Sequence, residues 1–110
     1  MKSKPIARNR RTVPEEPPAG WTFFTNHAHV LFAIAADPEA RLRDLAERVG
    51  ITERAVQRIL ADLQVEKYVT VTKVGRRNRY KVNPRPPLRH PIERHRSVKA
   101  LLEFVEGNGR

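Results

Sequence analysis

The sequence predicts a small α+β domain, mostly α, and three observations carry that expectation. Residues 42–63, LRDLAERVGITERAVQRILADL, read as two short helices joined by a tight turn. Residues 68–82 carry β-branched and aromatic residues on both sides of Gly75, the pattern of a hairpin. Residues 92–106 repeat apolar residues in three- and four-residue steps, so an additional C-terminal helix follows. A chain of 110 residues has room for one such domain and little more.

Residues 1–20 read as a basic, Pro-rich tail outside the fold. Lys2, Lys4, Arg8, Arg10 and Arg11 cluster there with few apolar neighbours, and Pro14, Pro17 and Pro18 bar a regular helix. Two roles are open for it: a solvated tail, or an arm that tracks an anionic partner. The domain proper spans residues 21–83. Its first helix falls within Trp21–Ala36, with Thr22, Thr25 and Asn26 as candidate caps and Asp37-Pro38 as the stop. Phe24, Ala28, Leu31 and Ala35 share one stripe, and Phe23, His27, Val30 and Ile34 the next, giving a wide buried face. Trp21, Phe23 and Phe24 read as core or dimer-contact residues rather than a stacking platform.

The second helix covers Asp44–Val49, its acidic start suited to the positive end of the helix dipole. Gly50 can end it in a left-handed conformation. Thr52 is a good N-cap for a third helix running to about Lys67. Val56, Ile59, Leu60 and Leu63 give that helix one buried face, and Arg54, Gln57, Arg58 and Ala61 lie opposite. Arginine can bridge guanine O6 and N7, and glutamine can bridge adenine N6 and N7, so this edge suits base reading. Tyr68–Thr72 reads as a strand with Val69 and Val71 buried, and Tyr80–Val82 as its return. Between them Lys73, Arg76, Arg77, Asn78 and Arg79 form an exposed basic loop turned by Gly75, able to clasp phosphates or lie along a minor groove.

Leu45, Ala46, Val49, Gly50, Ile51, Val56 and Ile59 fall where helix-turn-helix DNA-binding proteins place their packing residues. With the basic hairpin behind them, residues 23–83 resemble the winged helix-turn-helix transcriptional regulators of bacteria, in the broad MarR/ArsR-like group. The resemblance implies a winged helix-turn-helix domain, with a very short strand at Arg41–Arg43 added to the hairpin. It also implies a sequence-specific, double-stranded DNA-binding regulator. Arg54, Gln57 and Arg58 would reach base edges with Thr52 and Glu53 beside them. Lys73, Arg76, Arg77, Asn78 and Arg79 would hold the backbone or minor groove. Two alternatives are an RNA-binding winged helix, which usually needs exposed aromatics for stacking, and a protein-interaction winged helix, which needs no cationic recognition helix and wing together.

The charge agrees with a polyanionic partner. Lys and Arg number 22 against 12 Asp and Glu, a formal net charge of +10, and the pI is near 11.1. Arg outnumbers Lys 16 to 6, and the planar guanidinium fork suits phosphate and guanine. There is no cysteine, so disulfides, thiolate metal sites and cysteine nucleophiles are excluded. No apolar run is long enough to span a membrane and no secretory leader is visible, so the expected compartment is the cytoplasm. His27, His29, His90 and His95 are the only histidines, and only Glu93 and His95 pair at anything like ligand spacing, so no metal site or cofactor is expected. No nucleophile–base set, paired carboxylates or phosphate loop stands out, so the chain is not expected to be an enzyme.

Residues 84–91 form a Pro-rich connector, with Pro91 suited to the first turn of the helix expected at 92–106 and Gly107 to its stop. Ile92, His95, Val98, Leu101, Leu102 and Val105 make the apolar stripe of that helix. It needs a burial partner, either the first helix or a second subunit. The resemblance favours the second, making these residues the seam of a homodimer. A hydrophobic content of 39% supports a core of modest size, which dimerisation would extend.

Overall fold

A computed structural model describes residues 16–107, so the basic cluster at residues 2–11 lies outside the described residues. The elements are α1 (Asn26–Ala36), α2 (Leu42–Val49), α3 (Glu53–Val65), a hairpin of β1 (Val69–Val74) and β2 (Arg77–Val82), and α4 (Val98–Glu106). Of the three candidate caps, Thr25 starts α1, its Oγ1 accepting from Ala28 N at 3.3 Å. The core gathers Val30, Leu31, Ala33 and Ile34 of α1, Leu45, Ala46 and Val49 of α2, and Val56, Ile59, Leu60 and Leu63 of α3. Tyr68, Val69 and Tyr80 close it from the hairpin side. Of the valine pair expected to be buried, Val69 is and Val71 is only partly so, while Tyr68 and Tyr80 join the core.

The strand expected at Arg41–Arg43 is absent. Arg41 is instead the N-cap of α2, and Leu42 already belongs to the helix. Asp44 causes this. Its carboxylate accepts from Arg41 N at 3.1 Å and from the Arg41 guanidinium at 3.2 and 3.3 Å, closing the helix start before a strand can form. Among the described residues the hairpin edge is met by one backbone bond, Tyr80 N donating to Pro38 O at 2.8 Å.

α3 stops at Val65, short of Lys67, because Lys67 adopts a left-handed conformation with φ 68°. The free carbonyls at the helix end are met by Glu66 N, Lys67 N and Tyr68 N, which donate to Asp62, Gln64 and Leu63. The hairpin is longer than expected. Val74 pairs with Arg77, leaving only Gly75-Arg76 as the turn. Gly75 has φ 65° while Arg76 stays at negative φ, the arrangement of a tight hairpin turn with glycine first.

The C-terminal helix is shorter than the expected 92–106. Pro91–His95 are turns, held by Glu93 N to His90 O (2.9 Å) and Arg96 N to Glu93 O (2.8 Å). Ser97 caps the helix, and its Oγ accepts from Ala100 N. The connector folds back on itself, since Leu88 N donates to Arg96 O at 2.9 Å and Val98 N to Pro86 O at 3.0 Å. It is also pinned to the domain where Tyr68 Oη donates to Pro87 O at 2.8 Å. Burial holds the Tyr68 phenol above its ordinary pKa, so it remains a donor.

Candidate nucleic-acid interface

The turn between α2 and α3 sets which edge of α3 is exposed. Gly50 caps α2 with φ 86°, its N–H donating to Ala46 O at 2.8 Å. Two residues on, Thr52 Oγ1 accepts from Ala55 N at 3.0 Å and starts α3. Val56, Ile59, Leu60 and Leu63 anchor the inner face of α3, so Thr52, Glu53, Arg54, Gln57, Arg58 and Ala61 are all left exposed. Among the described residues, neither Arg54 nor Arg58 is in an ion pair, and the Gln57 side chain makes no hydrogen bond within the chain. Their donors are therefore available to a partner.

The basic hairpin divides into two faces. Side chains alternate along a strand, and the register sets Val74, Thr72 and Thr70 opposite Arg77, Arg79 and Lys81 on one face. Lys73 sits opposite Asn78 on the other face, continuing the row of Val71 and Tyr80 beyond the core. Arg76 is at the tip. The five residues expected to act as one loop thus point in three directions. Lys81 joins the arginine face by strand alternation from Arg79, a signal readable in the sequence but not used there.

That arginine face is tied to the α1–α2 loop. Arg79 donates through Nε and Nη2 to the Glu39 carboxylate, the Nε bond at 3.0 Å, and Arg77 Nη2 donates to Glu39 O at 2.8 Å. Arg76 and Lys73 carry no such partner among the described residues. Glu39 was not among the expected site residues, and nothing local could mark it.

The expected dimer stripe is split by the shape of the chain. Ile92 and His95 lie in the turns before α4, both exposed, so they are not on a helix face with the rest. Val98 is fully buried in its own chain and belongs to the domain core. Leu101 and Leu102 are half-buried, and Val105 is exposed. α4 packs on α1 within the same chain, where Phe24 stands edge-on to Phe32 (5.4 Å between ring centres) and to Phe104 (6.5 Å). Trp21 and Phe23, expected as core or dimer contacts, are exposed and stack edge-on with each other.

A cleft of about 840 Å³ opens at the opposite end of α3 from Thr52. Phe24, Leu31, Leu63 and Tyr68 are among its apolar lining. His27 Nε2 lies 2.8 Å from Asp62 Oδ2 beside it, linking α1 to α3. Among the described residues, no group of three His, Asp or Glu is placed to hold a metal ion. None of the described helices is long and apolar enough to cross a membrane.

Three packed helices, a turn ended by a left-handed glycine, and a basic two-stranded wing define a winged helix-turn-helix domain. Residues 24–79, from the start of α1 into β2, match the MarR family. The chain belongs to the MarR family, whose members are winged-helix DNA-binding regulators of transcription. No curated protein matches the sequence.

Proposed function

We propose that the chain binds double-stranded DNA sequence-specifically, with α3 in the major groove and the hairpin on the flanking backbone or minor groove. The observation that carries this reading is the edge of Arg54, Gln57 and Arg58, exposed and without a partner among the described residues, on a helix whose other face is locked into the core. A helix about 10–12 Å across fits the major groove of B-DNA. Thr52 and Glu53 lie at the end of α3 that leads into the groove, where a carboxylate can accept from cytosine N4. Arg76 at the tip and Lys73 beside it offer phosphate contacts, while Arg77, Asn78 and Arg79 line the two faces behind them.

The molecule acts in this reading as a homodimer. The inner side of α4 is used within the chain, so the seam narrows to what stays accessible, the 75% of Phe104 left exposed beside its edge contact with Phe24, and Val105, 41% exposed. Two copies would carry two reading heads onto a two-half-site operator, the second contact being favoured by its high effective concentration. Selection of bound duplexes from a random DNA pool tests both parts. An enriched palindrome is the expected result. Recovery of unenriched DNA removes sequence-specific reading, and an enriched single half-site removes the dimer.

A further inference from the structure

We propose that two copies of the chain join by exchanging an aromatic pair, Trp21 and Phe23 of each entering the cleft beside α3 of the other. The proposal rests on the homodimer reading given above and names the surface that forms it.

The surface is a continuous line of apolar contacts. Trp21 is 74% exposed and Phe23 90%, although both are large and apolar. Their rings stand edge-on with centres 5.1 Å apart, so they form one projection. Phe23 also stands on the rim of the cleft, whose lining includes Val65 and Leu101. Phe24 lines the same cleft and carries the surface on to Phe104 of α4, 6.5 Å away between ring centres. Projection, cleft and the accessible part of α4 are therefore joined.

The area matches a second copy. At about 150–250 Å² for each aromatic side chain, Trp21, Phe23 and Phe104 leave roughly 400–600 Å² in water. A standard interface buries about 800 Å² on each partner, and in homodimers about 65% of it is apolar. The three rings thus supply the apolar part that such an interface needs. Val65, also 75% exposed, adds to it from the cleft rim.

The arrangement is self-complementary, as a two-fold dimer requires, since there the same patch meets itself. Phe23 stands at the rim of its own cleft, so an axis passing beside it sets each Trp21 opposite the other cleft. Residues 20–25, GWTFFT, carry no charge, so their entry buries no ion. The indole N–H needs an acceptor once it leaves water. Asp62, Glu66 and Glu93 line the cleft, and Glu93 is in no ion pair among the described residues. The cleft lies at the opposite end of α3 from Thr52, so a dimer closed there leaves Arg54, Gln57 and Arg58 of both copies uncovered.

Trp21 is the single tryptophan of the chain, so its emission reports the docking in the unsubstituted protein. Sedimentation and fluorescence are followed together over a dilution series. The expected result is a blue shift and weaker acrylamide quenching as the dimer forms, with the same midpoint by both methods. Trp21→Ala with Phe23→Ala removes the projection, and Ala28→Phe separately narrows the cleft from its α1 wall. Each should raise the dimer Kd at least about tenfold. In Ala28→Phe, Trp21 should keep the emission of an exposed indole at concentrations where the parent is dimeric. A parent that dimerises with Trp21 emission unchanged overturns the exchange and leaves the homodimer reading standing, as do folded variants with an unchanged dimer Kd. A monomer in which Trp21 is already shielded overturns it too. A parent that stays monomeric throughout overturns the homodimer reading, and the exchange falls with it. The emission of the parent decides the matter even where a substitution unfolds the chain.

Discussion

Glu39 and Arg79 are 40 residues apart in sequence and form an ion pair across the edge of the wing. The α1–α2 loop thereby holds one of the wing arginines through a carboxylate and a second, Arg77, through the carbonyl of the same residue. A phosphate approaching this face must compete with Glu39, whereas Arg76 at the tip has no such competitor among the described residues. Both partners are about half exposed, so the pair contributes little to stability and can be broken on docking.

Glu39→Gln should therefore strengthen binding to duplexes of any sequence and steepen the salt dependence, by roughly one unit of log–log slope for the freed Arg79. Arg76→Ala should flatten the slope by about the same amount. A salt titration of both variants on specific and random DNA checks the pair. Weaker binding by Glu39→Gln would mean that the carboxylate aims Arg79 at DNA instead of withholding it.

Arg58→Ala should cost about 1–3 kcal/mol at a selected site and relax the preference at one position per half-site. Arg58 lies one helical turn beyond Arg54 on the exposed edge of α3. Equal losses on selected and random duplexes would reduce it to a phosphate contact.

Val98→Ala should destabilise the whole domain by about 1–3 kcal/mol, because Val98 is fully buried in the core of its own chain. Removing residues 92–110 should destabilise the domain further, instead of leaving a stable monomer as a purely intersubunit helix would. Denaturant unfolding followed by circular dichroism decides this. Sedimentation of a Phe104→Asp, Val105→Asp variant tests the outer side of α4 separately.

Lys67→Gly should stabilise the chain by about 0.5–1 kcal/mol, since a non-glycine residue at φ 68° carries a steric cost that glycine avoids. The gain is partly offset by the greater freedom of glycine in the unfolded chain. Thermal unfolding of the variant reads the net sign.

The Arg41 guanidinium, by hydrogen bonding to Asp44, holds the Asp44 carboxyl below its ordinary value of 3.8. A lowered carboxylate pKa stabilises the fold above the unfolded value, and that stability is lost as pH falls through the folded value. Asp44→Asn should therefore lower stability at neutral pH by a few tenths to about 1 kcal/mol. The gap from the parent should narrow only below about pH 4. Urea unfolding at pH 7 and pH 3 measures it, and a gap that persists unchanged at pH 3 would assign the loss to neutral hydrogen bonding.

Local interactions determined most of the exposed edge of α3. The left-handed turn at Gly50, the Thr52 cap and the apolar stripe of α3 act within about four residues, so residue types and spacing suffice to place Arg54, Gln57 and Arg58 on one exposed face. The hairpin was legible for the same reason, though its tightness was not. A run of cations around one glycine reads as a loop until strand pairing draws all but two residues into the ladder and sorts Lys73 from Arg77 and Arg79. The helix expected from residue 92 shows the opposite limit. Apolar periodicity continued through Ile92 and His95, but bonds between residues 86–88 and 96–98 hold that stretch in turns. Contacts between distant segments came only from the tertiary structure: Glu39 on Arg79, and Val98 in the core of its own chain. Each depends on where packed helices bring residues tens of positions apart, and sequence spacing carries no record of that distance.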